Sequence, residues 1–176
     1  MALRVPSDFR WKVGRAIGSG GQGSVYLAED ATNILHGTFA LKRLGSGKSA
    51  KAQARFAREI DAASQLDHPS IVKVVDRSNP EDSFHFYVME YFEGGRTLKQ
   101  LMQSDENPFY NDVNRSLAFF KSLIEAIYAW DEIGIVHRDL SPANIIVLED
   151  CSIKVIDLGL CQIDDGHSFT LSDECQ

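Results

Sequence analysis

The chemistry of this chain concentrates in His137-Arg138-Asp139-Leu140-Ser141-Pro142-Ala143-Asn144 and, after the apolar run Ile145-Ile146-Val147-Leu148, in Asp157. Together these positions offer two carboxylates, a carboxamide, an imidazole and a guanidinium on polar turns bounded by strand-like segments. Asp139 can accept a proton, while Asn144 and Asp157 can present hard oxygen ligands to a magnesium ion. Each has an ordinary structural use taken singly: Asp139 caps a turn, Asn144 braces a loop, Asp157 ends a strand. In this order, after a glycine loop, a strand lysine and a helix glutamate, they read as a catalytic and metal-holding layout.

The upstream elements must supply what that layout acts on. Gly18-Ser19-Gly20-Gly21-Gln22-Gly23 lies between residues 9–17 and 24–29, both rich in aromatic and β-branched side chains, which predicts a hairpin with a glycine-rich tip. The same spacing occurs in dinucleotide-binding turns, but there the third glycine opens a helix, whereas Gly23 leads into Ser24-Val25-Tyr26-Leu27, a strand. On a hairpin, glycines let backbone amides approach phosphate oxygens and Val25 lays an apolar side chain against a flat base. A purely structural glycine turn is the alternative. A third strand, 38–44, carries Lys42, either solvated or turned inward towards phosphates. Gly45-Ser46-Gly47-Lys48-Ser49 lacks the earlier glycine of a P-loop and reads as a flexible connection.

Residues 50–66 have Phe56, Ile60, Ala63 and Leu66 at helical steps, with Glu59 on the same face. A carboxylate turned towards a core needs a cation. Lys42 is one candidate, and a solvated pairing with Arg55 one turn back is the other. His68-Pro69 ends the helix, and 71–75 and 84–91 read as two further strands. After Phe92-Glu93-Gly94-Gly95 the pattern turns helical: Thr97 caps a short helix through Met102, and Asp112 a longer one reaching Glu132 with Leu117, Phe120, Ile124 and Ile127 on one face. The change divides the chain into a sheet-rich lobe, 1–91, and a helical part, 92–176.

The chain has 176 residues, 44% of them hydrophobic and 24% charged, the proportions of a soluble globular protein. Its net charge of -7 argues against nonspecific binding of nucleic acid. Cys151, Cys161 and Cys175 are odd in number and lack metal-ligand spacing, so they read as free thiols of a reducing compartment. Neither a signal-length apolar core at the N-terminus nor a bilayer-length uncharged run is present. The expectation is a cytoplasmic protein without a membrane partner.

On these residues the chain resembles the eukaryotic-type protein kinase family, over roughly residues 11–160. Gly18 to Val25 resembles its G-x-G-x-x-G-x-V loop, Ala40-Leu41-Lys42 its V-A-I-K strand, His137 to Asn144 its H-R-D-x-x-x-x-N loop, and Asp157-Leu158-Gly159 its D-F-G. The resemblance implies an α+β, bilobal fold: a five-stranded antiparallel N-lobe sheet plus one helix, and an incomplete, mostly helical C-lobe. It further implies ATP and Mg2+ as cofactors and transfer of a phosphoryl group to Ser/Thr hydroxyls of a protein substrate. Lys42 would reach the α- and β-phosphates with Glu59 as its ion-pair partner, Asp139 would serve the substrate hydroxyl, and Asn144 and Asp157 would hold magnesium. Gly18, Ser19, Gly20, Gly21, Gln22 and Gly23 would cover the phosphates. Met89 would be gatekeeper, the Glu90 and Phe92 backbones would face adenine, and Ile17, Val25, Ala40 and Ile146 would sandwich the base.

Two departures stand against that pattern. Ser141 occupies the place where Ser/Thr kinases usually carry a lysine, so a hydroxyl replaces a cation beside the transferring phosphoryl group. After Gly159 there is no A-P-E segment, so the expectation is a shortened chain with exposed apolar surface on the long helix, or a partner chain covering it. A non-catalytic nucleotide-binding or scaffolding module, or an inactive fragment, is the alternative function, with a small-molecule phosphotransferase the third.

Overall fold

The computed structural model describes residues 5–6, 8–19, 23–45, 49–79, 82, 84–136, 140–156 and 162–163, with the side chains at 50, 55, 59, 62, 63, 135–136 and 162–163 left aside. Aromatic and β-branched residues favour β1 (Trp11–Ser19) and β2 (Gly23–Asp30), and β3 (Phe39–Leu44) pairs with β2. Helix α1 (Ala50–Ser64) follows, then β4 (Val74–Arg77) and β5 (Phe86–Glu90). These strands form one antiparallel sheet in the order β1-β2-β3-β5-β4, the five-stranded sheet plus one helix expected from the sequence.

Central placement explains why β3 is buried on both faces. Ala40 and Leu44 pack with Phe56 and Ile60 of α1 and with Tyr87 and Met89 of β5. Phe39 and Leu41 point the other way, into a cluster with Trp11, Phe86 and Val88. Strand geometry sends successive side chains to opposite faces, so Lys42 shares the α1 side with Ala40. Helix α1 begins at Ser49, whose carbonyl accepts the N–H groups of Ala52 (2.9 Å) and Gln53 (3.0 Å) and whose hydroxyl accepts from Ala52 at 3.3 Å.

Expected strand 71–75 differs from the observed one. The sheet strand starts only at Val74, and Ile71 instead bridges in parallel to Val155. Val155 donates its N–H to the Ser70 carbonyl (2.8 Å), and Val72 donates to the Val155 carbonyl (2.9 Å). The turn at His68 and Pro69 delivers this segment to a second group of strands, and Ile71 is buried there instead.

The remainder of the chain comprises β6 (Arg96–Thr97), α2 (Leu98–Met102), α3 (Val113–Asp131) and β7 (Ile135–Val136). A 3-10 turn (Pro142–Asn144), β8 (Ile145–Val147), β9 (Ile153–Val155) and β10 (Gln162–Ile163) follow. Both predicted caps are present. Thr97 accepts from the Gln100 N–H while the Gln100 side chain accepts from the Thr97 N–H, a reciprocal capping box. Asp112 accepts the Arg115 N–H at 3.0 Å.

Helix α3 is anchored by Phe119, Ala126 and Trp130, which join Leu101, Ile145, Val147, Ile153 and Val155 in a third core. Leu117, Phe120, Ile124 and Ile127 lie on the outward side and are exposed, as the sequence leads one to expect. Among the described residues no helix is long and apolar enough to cross a membrane.

Candidate functional site

The β8–β9 hairpin positions Asn144, the predicted metal ligand that lies within the described residues. Ser141 opens the 3-10 turn in an extended conformation, and its carbonyl accepts the Asn144 N–H at 2.9 Å. Pairing of Ile145 with Val155 brings Asn144 opposite Ile156, whose N–H is donated to the Asn144 carbonyl at 2.9 Å. The next residue in the chain is Asp157. At the far end of the hairpin, Asp150 accepts the Ser152 hydroxyl (2.6 Å) and N–H (2.9 Å), bonds that hold its carboxyl below the usual range. Cys151 there has φ of 66°, and its N–H closes the turn on the Leu148 carbonyl at 3.0 Å.

Between this hairpin and the five-stranded sheet lies a cavity of about 250 Å³. Ile17, Gly18, Val25 and Ala40 line it from β1–β3, Met89, Glu90 and Phe92 from β5 and the segment after it, and Ile146 from β8. The structure thus gathers the residues to which the resemblance gives a base-binding role. Tyr91, Gly95, Thr97 and Ile156 also line the cavity, although sequence reasoning passed over them. Ile156 was legible as the residue just before Asp157; Gly95 and Thr97 were legible only as turn and cap.

Gly95 is there because of closeness. A Cβ at this position would stand 2.7 Å from Ile146 Cγ2 and 3.1 Å from the Phe92 carbonyl oxygen, which itself accepts the Gly95 N–H at 3.1 Å. Gly23 is tighter still, since a Cβ would fall 1.9 Å from the Arg43 carbonyl oxygen. The last glycine of the predicted loop is therefore demanded by strand packing as well as by any ligand.

Lys42 is buried, lies in register with Val25 on one side and Tyr87 on the other, and sets its ammonium 5.7 Å from the Tyr87 ring centre. Ser19 ends β1 and pairs with Ser24 of β2. Gly20, Gly21, Gln22, Asp139 and Asp157, and the side chain of Glu59, lie outside the described residues, and with Glu59 goes the expected Lys42–Glu59 pair. Sequence reasoning also missed Lys154, whose ammonium lies 3.7 Å from Glu90 Oε2 and 5.3 Å from the Phe92 ring centre.

A slot lined largely by aliphatic side chains, with a buried lysine two residues along one of its own strands, suits a flat base attached to an anionic group. The family described as protein kinase domain matches residues 11–175. Serine/threonine-protein kinase PrkC of Bacillus subtilis is 38% identical over 153 residues, covering 86% of this chain and 22% of that protein. Serine/threonine-protein kinase PknB of Mycolicibacterium smegmatis is 33% identical over 168 residues, covering 92% of this chain and 26% of that protein. PknB of Mycobacterium tuberculosis matches to the same extent. The chain belongs to the protein kinase domain family, and it spans about a quarter of the length of these curated relatives.

Proposed function

We propose that this chain is the nucleotide-binding and phosphoryl-transferring part of a protein kinase that uses ATP and magnesium and acts on Ser/Thr hydroxyls. The observation that carries the proposal is the cavity joining Val25, Ala40, Met89 and Ile146, with Lys42 buried two residues beyond Ala40 on the same strand. At about 250 Å³ the cavity is at or below the small end of ligand sites, which run from roughly 300 Å³ upwards. It therefore fits a purine ring, with ribose and phosphates extending outwards towards the glycine hairpin. Residues 1–91 act as the lobe that holds the base and phosphates, and 92–176 as the part that brings the catalytic loop to them.

Glu90 donates its N–H to the Lys73 carbonyl at 3.1 Å; its own carbonyl oxygen accepts from the amine of adenine, and the Phe92 N–H donates to a ring nitrogen. Lys42 neutralises the α- and β-phosphates, with Glu59 holding its ammonium. Magnesium suits the hard oxygens of Asn144 and Asp157, since Asn144 is backbone-bonded to the residue before Asp157; when bound, it offsets phosphate charge. Asp139 orients the substrate hydroxyl and accepts its proton as the oxygen bonds to the γ-phosphorus and the bond to the bridging oxygen of ADP breaks.

A second reading is favoured by one residue. Ser141 brings no charge to the phosphoryl group, which fits a module that binds nucleotide without turnover. Incubation with labelled ATP and magnesium separates the two. Incorporation that disappears in Asp139→Ala supports transfer. Thermal stabilisation by ATP with no incorporation refutes transfer and leaves the binding module. Lys42→Met is expected to weaken ATP binding in either case, and undiminished binding refutes its placement at the phosphates.

A further inference from the structure

Lys154 stands between Ile153 and Val155, two of the most deeply buried residues in the chain. Alternation along β9 sends those two into the core and Lys154 to the opposite face, where its cross-strand partner is Ile146, a wall of the cavity. Its side chain is only 18% exposed. A cation so far withdrawn from water is costly unless compensated. Among the described residues two groups compensate it: Glu90 Oε2 at 3.7 Å and the face of Phe92, with the ring centre 5.3 Å away. Glu90 is itself tied elsewhere, because the same carboxylate oxygen accepts the Lys73 N–H at 3.3 Å, just ahead of β4.

We propose that Lys154 is a positioning residue that pins the segment 90–92 to the β8–β9 hairpin and so fixes the floor of the cavity. Glu90 and Phe92 are the two residues of that segment whose backbones the proposed function assigns to adenine, and Lys154 holds the side chains of both. Through Glu90 the tether continues to the backbone ahead of β4, so three separate stretches of chain meet at one ion pair. Releasing it leaves the walls intact and frees the edge that recognises the base. The inference rests on the adenine reading of the cavity for its effect on binding, but not for its effect on the motion of the segment.

The test uses Lys154→Met, which keeps an unbranched apolar stem on Phe92 and removes the charge, together with Glu90→Gln and the double variant. Amide hydrogen exchange of residues 90–95 is followed in the ligand-free chain, and adenosine and ATP binding by calorimetry. Each single variant is expected to speed exchange of this segment and to weaken adenosine and ATP by the same factor, about threefold to tenfold. The double variant should lose less than the product of the singles, because the Lys154–Glu90 ion pair is the contact that both remove. Lys154→Arg, which keeps the cation, should restore exchange and affinity to near the original values. Unchanged exchange in Lys154→Met, or single effects that multiply in the double variant, overturns the proposal. If the parent chain binds neither adenosine nor ATP, the adenine reading fails, and the exchange measurement still decides whether Lys154 pins the segment.

Discussion

Phe119 and Phe120 are neighbours on α3 with the same side chain and opposite surroundings, which makes them a matched pair. Phe119 is 8% exposed and packs at a tilt against Phe109 with ring centres 5.0 Å apart, within the core that includes Leu101 and Trp130. Phe120 is 56% exposed, and its ring-to-ring contact is an edge approach to Phe119 at 5.3 Å. Truncating a buried phenylalanine loses the transfer energy of the ring and leaves a cavity, about 3–5 kcal/mol. For Phe120→Ala the loss of one edge contact, about 0.5–1.5 kcal/mol, is partly offset by the better helix propensity of alanine, roughly 0.5 kcal/mol. At about 2–4 °C per kcal/mol for a chain of this size, Phe119→Ala should melt roughly 6–20 °C lower and Phe120→Ala within a few degrees of the parent. Thermal unfolding of the 176-residue chain followed by circular dichroism measures both. Equal losses, or a larger loss for Phe120→Ala, refute the assignment of the two faces.

Two further outcomes follow from local geometry. Asp30 accepts Arg10 Nη2 at 2.7 Å, the Thr32 hydroxyl at 2.6 Å, and the Thr32 and Leu35 N–H groups at 2.9 Å, and the Arg10 guanidinium first of all holds its carboxyl far below the usual carboxylate range. A depressed folded value gives stability that is full above the unfolded carboxyl value of about 3.9 and is lost as pH falls through the folded one. Asp30→Asn should therefore be less stable than the parent at pH 7, with the gap closing at lower pH in denaturant titrations; a pH-independent gap would count against the clamp. Gly95→Ala places a methyl 2.7 Å from Ile146 Cγ2, overpacking the cavity floor at a cost of about 1–3 kcal/mol. ATP affinity measured by calorimetry should drop about tenfold, and an unchanged affinity would show that the floor yields freely.

Much of the sheet was legible because burial on one or both faces leaves a period in the sequence. The glycine hairpin, Lys42 on a strand, the helix with Phe56 and Ile60, and the caps Thr97 and Asp112 are local patterns, each set by residues within a few positions of one another. The segment 71–75 was not legible in the same way. Its apolar residues satisfy a strand of either sheet equally well, and only tertiary structure bonds the backbone of 70–72 to Val155 while burying Ile71 with β8 and β9 and Val72 with Ala40 and Phe56. Helix α3 shows a different limit: it is apolar around much of its circumference, so periodicity names a face without saying which core it meets.

By itself the sequence determined the chemistry on offer: the order of glycine loop, lysine, glutamate, the segment from His137 to Asn144, and Asp157, and with it the family, because motifs of chemically specific residues at fixed spacing survive without coordinates. Tertiary structure alone decided which side chains share a cavity. Ile17 and Ile156 are far apart in the chain yet line the same slot, and Gly95 is a glycine because Ile146 stands in its way. Lys154 belongs to the same class. Nothing in its neighbours predicts a partner, and only antiparallel pairing of β8 with β9, seated beneath residues 90–92, brings its charge to Glu90 and Phe92.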